Sequence, residues 1–464
     1  MAKGYLAYDV DQRLLLPPDM RTWLPEGHLA LFILDVVSEL DLSEIFAVND
    51  AKDVRGRPGF HPTMMVALLV YAYCIGKPSS RRIERATYED VAFRVLAGDR
   101  HPDHDSIAAF RKTHLSALAG LFLQVLRLCQ KAGLVKLGHI AIDGTKIKAN
   151  ASKHKAMSYE RMGPTEQRLE EEIRELLKKA EQADDEEDAE YGKGKKGDEL
   201  PGELSRREGR LQKIREAKAA LEKEAKDKAE AKAADAFAKH AERERAAAQQ
   251  GKKATGPKPE PYDPEQAKPD PKAQRNFTDP ESRIMPDGAN KGAFVQGYNV
   301  EMAVDAEAQV IVAVDVVQAT SDKRQLVPMC TAIVQNVGRL ADVTSADAGF
   351  FSAENLAHPA LTTTKLLVPP DRQKHGADKE AGAPEGESVA DQMRRTLAEP
   401  SSQALYKMRK AIVEPVFGQI KHVRGIRQLR IRGLLGARGE MALIALTHNL
   451  LKLFRAAART PAIA

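Results

Sequence analysis

"HIAIDGTKIKAN", residues 139–150, is the stretch on which the reading of this chain turns. His139 to Ile142 read as a short strand, rich in β-branched residues and bounded by Gly138 and Gly144. Asp143 then stands at the strand's carboxyl end, where ligands and metals gather in sheets flanked by helices. A glycine turn and two lysines, Lys146 and Lys148, follow. Asp-Gly is also ordinary turn chemistry, so this position alone decides nothing. The rest of the chain has to supply the argument.

The chain has 464 residues, 43% hydrophobic and 30% charged, enough for two or three domains with cores of their own. A net charge of +5 and a pI of about 8.8 are mild, so the placement of charge matters more than its sum. Cys74, Cys129 and Cys330 are far apart in apolar settings. They read as buried thiols in a reducing compartment, neither disulfides nor a zinc site. The start, "MAKGYLAYDVDQRLL", places Asp9 and Asp11 where a signal peptide is apolar. The longest apolar run, residues 64–75, is too short to span a bilayer. These features predict a soluble, cytoplasmic protein.

Residues 1–135 read as all-helical. Pro62 suits a first helical turn, a serine pair opens the segment "SSRRIERATYEDVAFRVLAG", and Asp105 or Ser106 opens one long helix ending at Gly133. Such a set fits a DNA-binding helical domain or a bundle with no partner, and periodicity does not separate them. Residues 157–251 are rich in Ala, Glu, Lys and Arg, with a thin seam of Leu204, Leu211, Ile214 and Leu221. They predict an inserted, coiled-coil-like helical hairpin, its two arms joined by a loop over 184–202. Residues 252–275 read as a proline-rich linker. Order returns with two β-rich runs over 293–322 around a turn at Asp305–Ala308, then a helix from about Asp322 to Val337. A strand ending at Asp347, a helix start capped by Ser352, a strand over 365–369 and a polar loop to about 400 follow. A helix over 401–423 presents Leu405, Met408, Ile412, Val416 and Ile420 near one face. The apolar segment "MALIALTHNLLKLF" packs back on the core.

That element order is an α/β, ribonuclease-H-like layout, with residues 136–156 and 276–464 forming the core and the hairpin inserted after its first strand. In it the strands carrying Asp143 and Asp347 lie side by side, and the closing helix adds Glu414. Three converging carboxylates raise one another's pKa unless counter-charge is present. Two Mg²⁺ ions remove that cost, because hard cations take oxygen ligands. A metal pair also suits in-line displacement at phosphorus. Lys146 and Lys148 would face nucleic-acid phosphates. Pro415 predicts a kink or restart at Glu414–Pro415.

"IDGTKIKANAS", "SADAGFFS" and "YKMRKAIVEPVFGQIKHVRGIRQLRIRG" resemble the three acidic motifs of DDE transposases of bacterial insertion sequences. The last resembles the tyrosine–arginine–glutamate–lysine signature of one large group of them, and "GRPGFHPTMMVALLVYAYCIGKPSSRRIE" resembles that group's helical N-terminal domain. The resemblance implies Asp143, Asp347 and Glu414 as the catalytic, metal-binding triad, with Mg²⁺ as cofactor and Mn²⁺ as substitute. It implies Tyr406, Arg409 and Lys421 as DNA contacts. The usual signature has three residues between arginine and glutamate; four separate Arg409 from Glu414, so either Arg409 or Lys410 takes that role. It also implies binding of terminal inverted repeats and target DNA, a homodimer in the synaptic complex, and work at the bacterial nucleoid.

From Lys421 to Gly439 there are six Lys or Arg, including Arg424 and Arg427, and no Asp or Glu. Directly beyond the third carboxylate, that run reads as a phosphate-facing surface giving salt-dependent affinity. His101, His104 and Asp105 fit no metal-ligand spacing and read as turn and helix cap. Asp315 points to solvent, His139 is packed, and Asp322 is a spare carboxylate whose plainer role is a helix cap. Two other functions use the same acids or their remnant: a ribonuclease-H-like nuclease without strand transfer, and an inactive transposase-derived DNA-binding protein.

Overall fold

The computed structural model describes residues 19–50, 59–191, 202–249, 257–259, 263, 267–287, 292–371 and 388–458. The first 18 residues and parts of the predicted 184–202 loop, proline-rich linker and loop before 400 lie outside them. The fold is mixed α/β, with a helical N-terminal region and a sheet of parallel and antiparallel strands. Two units divide it, 1–148 with 298–464, and 149–297.

Among the described residues, seven α-helices open the first unit: α1 (Leu29–Glu39), α2 (Ser43–Asp50), α3 (Pro62–Cys74), α4 (Ser80–Glu89), α5 (Val91–Ala97), α6 (His104–Thr113) and α7 (Leu115–Lys131). Pro62 is at the start of α3, where its missing N–H has no helical acceptor to lose. The segments predicted as two long helices each break once. Asp90 stops α4 and caps α5, accepting from Ala92 N at 3.0 Å. His114 separates α6 from α7. The cap of α6 is Asp103, ahead of both predicted starts, and it accepts from Ser106 N at 2.7 Å.

The sheet of this unit is built on β1 (His139–Lys148). The second unit follows in the chain, with β2 (Ala156–Ser158), α8 (Tyr159–Tyr191), α9 (Gly202–Gln249), β3 (Gln274–Asn276) and β4 (Arg283–Pro286). Then come β5 (Phe294–Asp305), β6 (Ile311–Val317), α10 (Leu326–Val337), β7 (Val343–Ala346), α11 (Ala353–Leu356), β8 (Lys365–Leu367), α12 (Val389–Ala398), α13 (Pro400–Gly418) and α14 (Leu434–Ala457). In the first unit the strands run β6-β5-β1-β7-β8. β5 and β6 form the predicted antiparallel hairpin, while β1–β7 and β7–β8 are parallel. α12 occupies residues predicted as loop, with Ser388 capping it.

β1 does not turn at Gly144. It continues to Lys148, because its far end pairs with the segment after α13: Leu429 N donates to Lys148 O at 2.9 Å. Its pairing with β7 nevertheless stops at Ile142↔Ala346. Asp143 and Asp347 are therefore the next residues along two neighbouring parallel strands.

α13 buries Arg409, Ile412, Val413 and Val416, with Ile420 beyond its end. Met408, predicted on that face, is 49% exposed. The predicted restart at Pro415 is not found. The helix runs through Pro415, and the irregular turn is a π-turn over Gln419–Val423. A proline inside a helix leaves the carbonyl four residues earlier without its donor. Here that carbonyl, Ala411 O, accepts from Gln309 Nε2 at 3.0 Å.

α14 packs against α7, α3 and β6, and most of its face is buried, as predicted. Glu440 on it is buried but satisfied. It accepts from Tyr73 Oη at 2.7 Å and from the N–H groups of Arg430 and Ile431. The three cysteines are buried and free. Among the described residues no helix is long and apolar enough to cross a membrane.

In the second unit, β2 and β3 pair antiparallel, and β4 pairs with the first residues of β5. α8 and α9 pack through Met162, Leu169, Leu211, Ile214, Ala217 and Leu221. Three of the four predicted seam residues are among these; the side chain of Leu204 lies outside the described set. Arg215 and Lys218 pair with Glu166 across the two helices. Exposed pairs of this kind add little, so the apolar seam is the main tie.

Candidate active site

Asp143 lies on β1 just past the last residue that pairs with β7. Its Oδ2 accepts from Arg409 Nη1 at 2.7 Å and its Oδ1 from Gly144 N at 2.8 Å. Burial pushes its carboxyl up to about 6, the Arg409 guanidinium pulls it down, and Asp347 pushes it further up. Asp347 caps the short turn Ala348–Phe350, with Oδ1 accepting from Gly349 N at 2.8 Å. Glu414 is exposed on α13 and, among the described residues, has no hydrogen-bond or ion-pair partner. α13 packs against β1 and β7.

Two further acids stand beside this pair. Asp322, named above only as a spare carboxylate, accepts on Oδ1 from Asn299 Nδ2 at 2.6 Å and from Lys146 Nζ at 3.3 Å. It does not cap α10, whose N-cap is Gln325. Glu301 was missed by the sequence reading. It is fully buried, its Oε1 accepts from the same Asn299 Nδ2 at 2.6 Å, and its Oε2 has no partner. Burial pushes its carboxyl up to about 9, with Asp322 adding to the rise and Lys146 opposing it. The signal was present: an acid in the middle of the apolar run "YNVEMAVD".

The predicted DNA-facing residues divide. Lys148, Lys410 and Arg427 are exposed. Lys146 is taken up by Asp322, and Arg409 by Asp143. Tyr406 is half-buried beside Arg409, with the guanidinium 5.9 Å from its ring centre. Lys421 donates to Thr145 Oγ1 and to Lys146 O at 2.7 Å. Arg424 turns inward: it is buried and donates to Thr447 Oγ1 at 2.8 Å and to the carbonyls of Tyr73 and Ile444. Its guanidinium falls to about 10 through desolvation. Outside the site, His139 is packed as expected, with Nε2 2.8 Å from Ser345 Oγ. Asp315 is instead paired with Arg438 at 2.8 Å. His104 pairs with Glu84 rather than with His101.

Among the described residues, no three His, Cys, Asp or Glu side chains close on a common point. Arg409 and Lys146 lie against the acids instead. The donor set still suits a hard divalent cation: all oxygen, on rigid strands, with one buried carboxylate oxygen unsatisfied.

A family model described as "Transposase domain (DUF772)" matches residues 18–113, and one described as "Transposase DDE domain" matches residues 262–450. The chain belongs to the DDE transposases of insertion sequences, enzymes that cleave DNA and transfer strands with the help of a divalent metal. The second match takes in Asp322, Asp347 and Glu414 but begins after Asp143. No curated protein and no solved structure matches.

Proposed function

We propose that this transposase uses Asp143, Asp347 and Glu414 as its catalytic, metal-binding carboxylates, on a ribonuclease-H-like core with α8 and α9 as an inserted hairpin. The observation that carries the reading is the register Ile142↔Ala346, after which Asp143 and Asp347 emerge side by side. Glu414 is carried by α13, a helix that packs against the same two strands, which supports its assignment as the third acid. Two bound Mg²⁺ ions, or Mn²⁺ in their place, would supply an activated water and stabilise the leaving oxygen. The rest falls to this chain's own residues. Asp143 and Asp347 hold charge at a fixed height on the sheet. Arg409 keeps Asp143 ionised and aimed, which its 2.7 Å contact supports. Lys421 fixes the backbone beyond Asp143 through Thr145 and Lys146 O. Lys148, Lys410 and Arg427 meet phosphates, and Tyr406 lies at the edge of that surface. Arg424 is assigned to packing. The substrates are the element's terminal inverted repeats and target DNA, brought together by a homodimer.

The test uses purified protein, Mg²⁺ and labelled DNA carrying the element's ends. Wild type should cut and join. Asp143→Asn, Asp347→Asn and Glu414→Gln should each bind the ends and do neither. Full activity in all three would place the chemistry elsewhere. Cutting without joining by wild type would favour the nuclease reading.

A further inference from the structure

Asp322 lies between the two strand acids. A Cβ built on Gly144, next to Asp143, would stand 3.2 Å from Asp322 Oδ1 and 2.9 Å from Glu301 Oε2. A Cβ built on Gly349, two residues past Asp347, would stand 3.5 Å from Asp322 Oδ2 and 2.9 Å from Asp347 Oδ1. One oxygen of Asp322 thus reaches toward the Asp143 turn and the other toward Asp347. Two glycines leave the space it fills. Asn299 Nδ2 donates at 2.6 Å to both Asp322 Oδ1 and Glu301 Oε1, drawing the two acids together.

Holding two carboxyls together in a buried place is costly unless a positive charge or a shared proton answers it. Lys146 supplies part of that charge, but its hydrogen bond goes to Asp322, at a long 3.3 Å. Glu301 Oε2, fully buried and pointed at the same glycine, receives nothing. A buried carboxyl oxygen without a donor is costly unless its group keeps a proton or meets a cation. A small divalent cation fits this place, because it takes several oxygens at once and an ammonium does not.

We propose that Asp322, positioned by Asn299 and Glu301, is a further ligand of the divalent-cation site beside Asp143 and Asp347, and that Lys146 holds its place until the cation enters. Displaced from Asp322, Lys146 is then released toward the DNA backbone. The inference rests on the assignment of Asp143 and Asp347 as ligands.

The test is Mn²⁺ binding to the full chain without DNA, read from the electron paramagnetic resonance signal of free Mn²⁺. Wild type is compared with Asp322→Asn, Lys146→Met, Asp143→Asn and Asp347→Asn. Asp322→Asn should weaken binding about tenfold or more, as loss of a ligand or its close support does. Lys146→Met should tighten it severalfold, since a competing ammonium is gone. If Asp143→Asn and Asp347→Asn weaken binding while Asp322→Asn does not, Asp322 is no ligand and the inference fails alone. If the two strand variants bind as wild type, the triad assignment fails and this inference with it. Should Asp322→Asn not fold, unchanged Mn²⁺ affinity in Lys146→Met overturns the proposal by itself.

Discussion

Arg409 Nη1 on α13 meets Asp143 Oδ2 on β1 at 2.7 Å, and both side chains are largely buried, 9% and 17% exposed. This contact joins the closing helix to the first acid of the site. Removing one partner of a buried pair leaves the other charge uncompensated, which costs about 3–5 kcal/mol. Asp143 is pushed up to about 6, so it is charged at pH 7.5 and mostly neutral at pH 5. Arg409→Met should therefore lose several kcal/mol at pH 7.5 and clearly less at pH 5. Urea unfolding at the two pH values reads the difference. Equal losses would mean that Arg409 acts by packing rather than by charge.

Glu301 makes a second pH prediction. Its carboxyl rises from 4.5 to about 9, first through burial and then through Asp322. Between those values the folded chain keeps a proton that the unfolded chain has released, so stability falls as pH rises through this window. At pH 7 the folded group is still neutral, and glutamine resembles it. Because wild type has already lost stability between pH 4.5 and pH 7, Glu301→Gln should be the more stable protein at pH 7 and should also lose less stability between pH 7 and pH 9. A wild-type and variant pair with the same slope over that range would contradict the assignment.

The strand hairpin, the Asp143 and Asp347 strands and the closing helix were legible in the sequence because each follows a local pattern: alternation, a Gly or Pro boundary, or helical spacing. What was not legible came from distant partners. β1 outruns Gly144 because Leu429 and Arg427, far along the chain, pair with Lys148. Arg424 sits in a run of cations that reads as a surface, yet the carbonyls of Tyr73 and Ile444 draw it inside. Glu301 looked like one acid in an apolar strand. Its meaning depends on Asn299, Asp322 and Gly144 meeting there, which spacing alone does not reveal.

Pro415 offers a test of how α13 tolerates a proline. Gln309 Nε2 replaces the lost helical donor at Ala411 O. Gln309→Ala should cost about 1 kcal/mol, the usual net value of such a bond. Pro415→Ala restores an N–H at the right place, so the same Gln309→Ala change in that background should cost measurably less. A double-mutant cycle by urea unfolding gives the coupling directly. Additive losses would show that Gln309 is not the proline's compensation.

The basic segment after Glu414 is the last case, because its cations serve opposite purposes. Arg427 and Lys410 are exposed, whereas Arg424 is buried. Each phosphate contact contributes about 0.9 to the slope of log affinity against log salt on duplex DNA. Arg427→Ala and Lys410→Ala should each lower that slope by about one and leave urea stability nearly unchanged. Arg424→Ala should do the reverse: lose about 3 kcal/mol through a cavity and unpaired buried carbonyls, with the slope unchanged at temperatures where it stays folded. Duplex DNA without the element's ends suffices as probe, since phosphates carry no sequence. A reduced slope in Arg424→Ala, with none in Arg427→Ala, would mean that the segment turns over when DNA binds and that its buried face is the one phosphates meet.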